Sequence, residues 1–161
     1  MNRNKIGSLR VAELGARRIA PADTKAPTRG GFVVYRVGSA MVGVLFLVSG
    51  YGKIGGFESV AGWMAGTGLP IPHVLLALAL TLEIVAGALL ILGVKVRWAA
   101  LALAAFLVPT TTIFHAFWAA DAAQYQEQLT AFLKNLAILG ATLVLASYAG
   151  HFTKLRPKLL P

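Results

Sequence analysis

Four long runs of apolar residues dominate the hydrophobic pattern of the chain. Each run is close to the roughly 20 residues that an α-helix needs to cross a hydrocarbon core about 30 Å thick. Lipid offers no partner to an unpaired backbone group, so runs of this length predict helices rather than strands. Aromatic residues lie at several ends of the runs, as they do at membrane interfaces. The predicted spans are Phe32–Tyr51, Val74–Val94, Trp98–Trp118 and Leu129–Tyr148.

The connections between the runs predict how the spans are joined. The first connection has apolar residues at helical spacing, which predicts a short helix lying in the membrane interface; these are Phe57, Val60, Ala61 and Met64. The second is only Lys95-Val96-Arg97, a hairpin turn, and the third, residues 119–128, carries two acidic and no basic residues. The sequence therefore predicts an all-α membrane protein with a four-transmembrane-helix bundle.

The composition and the charge distribution agree with a membrane protein. Hydrophobic residues make up 57% of the chain and charged residues only 13%, about half of the ~25% that is typical of soluble domains. Twelve of the 15 Lys and Arg residues lie in an N-terminal tail (1–31), the short second connection and a C-terminal tail (151–161). Basic residues accumulate on the cytoplasmic side of membranes, so both termini are predicted to be cytoplasmic. The net charge of +9 does not indicate a nucleic-acid partner, because no binding motif or basic folded surface accompanies it.

Ionisable and polar side chains inside the predicted spans are the candidate functional groups. A charge near the centre of a membrane helix costs about 2.5–3.5 kcal/mol, so it normally faces the bundle interior and finds a partner. Glu83 and Lys134 each have small residues one turn away, and small residues line contacts between membrane helices. We predict that Glu83 and Lys134 face each other, with Arg36 approaching Glu83 from the cytoplasmic side. The candidate ligand or proton pocket, open to the outside, consists of Glu83, Lys134, Asn135, His115, Lys53 and Arg36.

Each of these residues also has a structural interpretation. Glu83 and Lys134 would equally serve as an ion pair that holds two helices together, and Arg36 as a residue whose long side chain reaches the interface. Lys53 also fits an interfacial anchor. Pro109 is predicted to kink the third span. No nucleophile, nucleotide-binding or metal motif is present and the chain has no cysteine, so the sequence assigns no catalytic residue and no metal ligand.

Several short stretches together resemble the DoxX family of small bacterial membrane proteins, over residues 32–150. They are Arg36 in the first span with its exit at 46–53, the loop at 68–72, Glu83 with Gly87 and Leu92-Gly93, and residues 132–136 with Gly140. The resemblance implies a multi-pass four-helix bundle in the bacterial inner membrane. Its relatives include the small subunit of a thiosulfate:quinone oxidoreductase, which implies a place near the quinone pool and membrane oxidoreductase subunits as partners.

Three functions fit the sequence. The first is a redox-linked subunit or accessory of a membrane oxidoreductase, with quinone as its ligand. The second is a structural or assembly subunit of a larger membrane complex. The third is a small proton-linked transporter that uses Glu83 and Lys134. The sequence names no substrate and does not set the oligomeric state or decide whether the protein is an enzyme.

Overall fold

The computed structural model describes residues 28–153, so the basic tails predicted at 1–31 and 151–161 lie almost entirely outside the described residues. Within 28–153 the chain forms five α-helices, one turn of 3-10 helix at Phe117–Ala119, and no strand. The helices are α1 (Arg29–Gly55), α2 (Phe57–Gly66), α3 (Pro72–Leu92), α4 (Val96–Phe114) and α5 (Tyr125–Thr153).

Four of the helices, α1, α3, α4 and α5, are long and apolar enough to cross a membrane. This confirms the predicted four-helix membrane fold. An even number of spans places the two described ends of the chain on the same side of the bilayer. That this side is the cytoplasm remains a prediction from the charge distribution.

The helix bounds differ from the predicted spans by two residues in α3 and by more in α1, α4 and α5, where α5 begins at Tyr125 and ends at Thr153. α1 extends at both ends, from Arg29 to Gly55, and Thr28 caps its start because the Thr28 hydroxyl oxygen accepts a hydrogen bond from the Gly31 N–H at 3.1 Å. α4 ends at Phe114 instead of Trp118. Hydropathy does not detect this end, because the apolar residues that follow α4 leave the helix and pack on the first turns of α5.

The short helix predicted between the first two spans is present as α2. Its Ala61 and Met64 are buried against Leu76 near the start of α3. Trp63 stacks on Phe114 at the end of α4, with ring centroids 4.6 Å apart. α2 therefore covers one end of the bundle, which we call the α2 end and which the predicted topology places on the periplasmic side.

Glycines bring the backbones of α1 and α3 into close contact. A Cβ atom built on Gly43 would lie 2.6 Å from the carbonyl oxygen of Gly87, and one built on Gly87 would lie 2.7 Å from the carbonyl oxygen of Gly43. Only residues without a Cβ allow membrane helices to approach this closely. The contact fixes the register of α1 against α3. The hydrophobic core beside it joins these two helices to α4 and α5 and includes Phe46, Leu90, Leu103, Leu107 and Leu145.

Candidate ligand-binding site

An ion pair between α1 and α3 is the centre of the candidate site. Lys53 Nζ lies 2.7 Å from Glu83 Oε2, and Glu83 is only 4% exposed. The same ammonium group donates to the hydroxyl oxygen of Ser49 at 2.7 Å and to the Ser49 carbonyl oxygen at 3.3 Å. Gly50 lets the two helices meet here, because a Cβ on Gly50 would lie 3.1 Å from the Cβ of Glu83.

The prediction that Glu83 pairs with Lys134 is wrong, because Lys53 takes that place. Lys134 is exposed on the outer face of α5, while its neighbour Asn135 faces inward. Consecutive helical residues point about 100° apart, so only one of the two can face the bundle. Lys134 lies two residues after Phe132, whose ring is 5.9 Å from that of Trp118. A long lysine side chain at such a position can extend its ammonium group to the interface.

Arg36 does not reach Glu83. Its guanidinium donates to the carbonyl oxygen of Ile91 at 2.9 Å and to that of Leu90 at 3.5 Å, so it binds the last turn of α3. A cation at the carboxyl end of a helix complements the helix dipole. Gly93 ends α3 with φ +70°, and a Cβ there would overlap the Arg36 guanidinium. Arg36 therefore stabilises the end of the bundle opposite α2 and takes no part in the Glu83 site.

A cavity of about 540 Å³ adjoins the ion pair, within the ~300–1,000 Å³ usual for small-molecule pockets. Its wall comes from all five helices and is mostly apolar. Four of the six predicted site residues line it, and Lys134 and Arg36 do not. The polar or ionisable residues of the wall are Ser49, Lys53, Glu83, Thr110, His115 and Asn135.

His115 links the cavity to α5. It is the C-cap residue that follows Phe114 of α4. Its Nδ1 lies 3.1 Å from Oε1 of Gln128 in the first turn of α5. Since an amide oxygen only accepts, Nδ1 is the donor in this contact. Pro109, predicted to kink the third span, lies inside α4 and lines the cavity.

Sequence reasoning missed three residues of this site. Ser49 lies one turn before Lys53 on the same helix face, and this spacing was a signal that could have been used. Trp63 forms part of the cavity wall through α2. Gln128 binds His115 across a turn whose shape no pattern in the sequence reveals.

These features define a small helical membrane protein with a cavity beside an ion pair whose carboxylate is buried. The sequence model of the DoxX family matches residues 36–116, which cover most of α1 and all of α2, α3 and α4. The chain therefore belongs to the DoxX family.

Two relatives in Escherichia coli strain K12 agree with this assignment. Inner membrane protein YphA is 29% identical over 114 residues, covering 71% of this chain and 81% of YphA. Inner membrane protein YqjF is 32% identical over 116 residues, covering 72% of this chain and 82% of YqjF. No solved structure is significantly similar to the chain. Together with the four apolar spans, the relatives identify a multi-pass protein of the inner membrane.

Proposed function

We propose that this protein binds a quinone-type molecule from the bilayer in the cavity beside Glu83, as a subunit or accessory of a membrane oxidoreductase. The observation that carries the proposal is the cavity itself, whose mostly apolar wall also contains six polar or ionisable side chains. A ligand that fits such a wall has a large apolar body and a polar head. Lipid-soluble ring compounds with oxygen substituents, such as quinones, have this character.

The apolar wall also supports access from the lipid. Leu78 of α3 and Ile113 of α4 line the cavity, yet they are 63% and 42% exposed. Leu45 of α1 also lines the cavity and is 45% exposed. Residues with both properties lie at an opening, so the cavity opens among apolar side chains of the bundle surface. An amphipathic molecule dissolved in the membrane would reach the polar side chains by this route without crossing water.

The polar groups provide contacts for a ring oxygen. The Asn135 side-chain amide can donate to a carbonyl oxygen, and so can the hydroxyl of Ser49. The ammonium group of Lys53 already makes three hydrogen bonds, so it positions Glu83 instead of binding the ligand. The association with an oxidoreductase is supported by the resemblance to the small subunit of a thiosulfate:quinone oxidoreductase.

A cavity-filling variant tests the proposal. Ala79 lines the cavity, whereas Ala105 is exposed on the outside of α4, so Ala79→Phe and Ala105→Phe add the same volume inside and outside the site. Each variant would be purified gently from its native membrane, and the quinone in the lipid extract measured per protein. We expect quinone with the unmodified protein and Ala105→Phe, and a several-fold loss with Ala79→Phe.

Proteins that purify with the unmodified chain give the second measurement. An oxidoreductase among them supports the proposed role. Quinone absent from every preparation, together with stable partners that do not depend on Ala79, would overturn the proposal and favour a structural subunit.

A further inference from the structure

Only one of the two carboxylate oxygens of Glu83 accepts a hydrogen bond from the residues that the structure describes. Oε2 accepts from Lys53 at 2.7 Å, and Oε1 makes no hydrogen bond with any residue in 28–153. No side-chain nitrogen or oxygen in this part of the chain is both fully buried and unpaired, so Oε1 retains some exposed surface. Glu83 is 4% exposed and lines the cavity, so that surface faces the cavity.

An ionised carboxylate oxygen only accepts hydrogen bonds. The residue that could have supplied a donor, Lys53, has all three of its N–H bonds directed to Glu83 and Ser49. His115 also lines the cavity, and its Nδ1 is already engaged by Gln128. The open hydrogen-bonding position at Glu83 Oε1 is therefore for a donor, while Ser49 and Asn135 can still donate to a ligand oxygen.

We infer that the site selects a ligand whose polar head carries a hydroxyl group that donates to Glu83 Oε1, and therefore a hydroquinone or related phenol over the corresponding quinone. This inference rests on the proposed function and adds the chemical form of the ligand. A quinone carbonyl presents only lone pairs to Glu83 and leaves Oε1 without a partner in an apolar wall. A phenolic hydroxyl donates to Oε1 and still accepts from a neighbouring amide or hydroxyl.

A matched pair of probes separates hydrogen-bond donation from redox chemistry and from hydrophobicity. 4-Nonylphenol has the hydroxyl, and 4-nonylanisole replaces its hydrogen by a methyl group. Binding is read from the fluorescence of Trp63, which lines the cavity, in a Trp98→Phe/Trp118→Phe background that removes the other two tryptophans. Concentrations are expressed per detergent micelle, so that partition of the two probes into the micelle is corrected.

We expect 4-nonylphenol to bind at least about tenfold more tightly than 4-nonylanisole, the cost of leaving one buried charged acceptor unpaired. The preference should fall at least several-fold in Lys53→Met/Glu83→Leu, which replaces the ion pair by apolar side chains of similar size and so keeps the fold. Glu127→Leu, which removes an exposed acid outside the cavity, should keep the preference.

The other results overturn the inference in distinguishable ways. Equal binding of the two probes by the parent protein refutes selection for a donor and leaves the proposed binding function standing. A preference that persists in Lys53→Met/Glu83→Leu shows that a group other than Glu83 selects the hydroxyl. Failure of both probes to change Trp63 fluorescence refutes the binding function, and the inference falls with it.

Discussion

Replacing Gly87 by alanine tests whether the glycine contact between α1 and α3 determines the stability of the bundle. The new Cβ would lie 2.7 Å from the carbonyl oxygen of Gly43 and 2.9 Å from the backbone nitrogen of Leu47. Both neighbours are backbone atoms of α1, which cannot rotate away as a side chain does. The two helices must therefore separate, and reaching even 3.0–3.4 Å requires a shift of about 0.3–0.7 Å.

The size of the effect follows from two opposing contributions. Overpacking a well-packed contact costs about 1–3 kcal/mol, and alanine is favoured over glycine inside a helix by about 1 kcal/mol. Gly140 of α5 provides the reference, because a Cβ there would meet nothing within 4 Å. Gly140→Ala gains helix propensity without overlap, so the difference between the two variants isolates the contact and should be about 1–3 kcal/mol.

The assay is unfolding by sodium dodecyl sulfate in mixed micelles, followed by tryptophan fluorescence at a fixed concentration of the non-denaturing detergent. Gly87→Ala should unfold at a lower mole fraction of the denaturing detergent than the parent, and Gly140→Ala at the same or a higher one. If Gly87→Ala and Gly140→Ala have equal free energies of unfolding, the close approach of the two backbones does not limit stability, and our account of the helix register is wrong.

Three further predictions follow from the ion pair, the capped end of α3 and the charge distribution. Lys53→Met should destabilise the protein by about 3–5 kcal/mol because it leaves the buried Glu83 carboxylate without its partner. Lys134→Met should change the unfolding free energy by less than about 1 kcal/mol, since Lys134 is exposed. Equal effects of the two variants in the same unfolding assay would contradict the assignment of Lys53 as the partner of Glu83. Gly93→Ala should cost at least about 1 kcal/mol because the position has a positive φ and its Cβ would displace the Arg36 guanidinium; an unfolding curve like that of the parent would contradict this. Reporter fusions at residues 70 and 124 should give a periplasmic signal, and fusions at residues 96 and 161 a cytoplasmic one. A periplasmic signal at 96 or 161 would refute the topology.

The spans were predictable because hydropathy and length alone determine which segments cross a bilayer. The inward direction of Glu83 was also predictable, since Ala86 and Gly87 lie on its side of α3 and are buried with it. The same argument failed for Lys134. Of its small neighbours, Thr130 and Ala137 are exposed, while Ala131 and Ala141 are only half-buried, so the small residues around Lys134 do not mark a close helix contact.

The partner of Glu83 could not be predicted from periodicity. Lys53 is 30 residues away in the sequence, and the two meet because the Gly43–Gly87 contact sets how far α1 is shifted along α3. A pattern of apolar residues gives the face that a helix buries but not its axial position against a neighbour. The cavity was likewise inferred from the polar side chains, while its closure by α2 depends on a stacking contact between Trp63 and Phe114 that no local pattern reports.

The glycine contact has a consequence for how ligand preference can diverge among related proteins. The ion pair depends on α1 and α3, whose spacing leaves no room for larger side chains. The opposite wall of the cavity comes from α4 and α5, where Thr110, Ile113 and Asn135 face the space without entering that contact. Substitutions there alter the shape and polarity offered to a ligand while the charged pair stays in place. Changes in α4 and α5 can therefore alter the specificity of the cavity, while α1 and α3 preserve the architecture of the bundle.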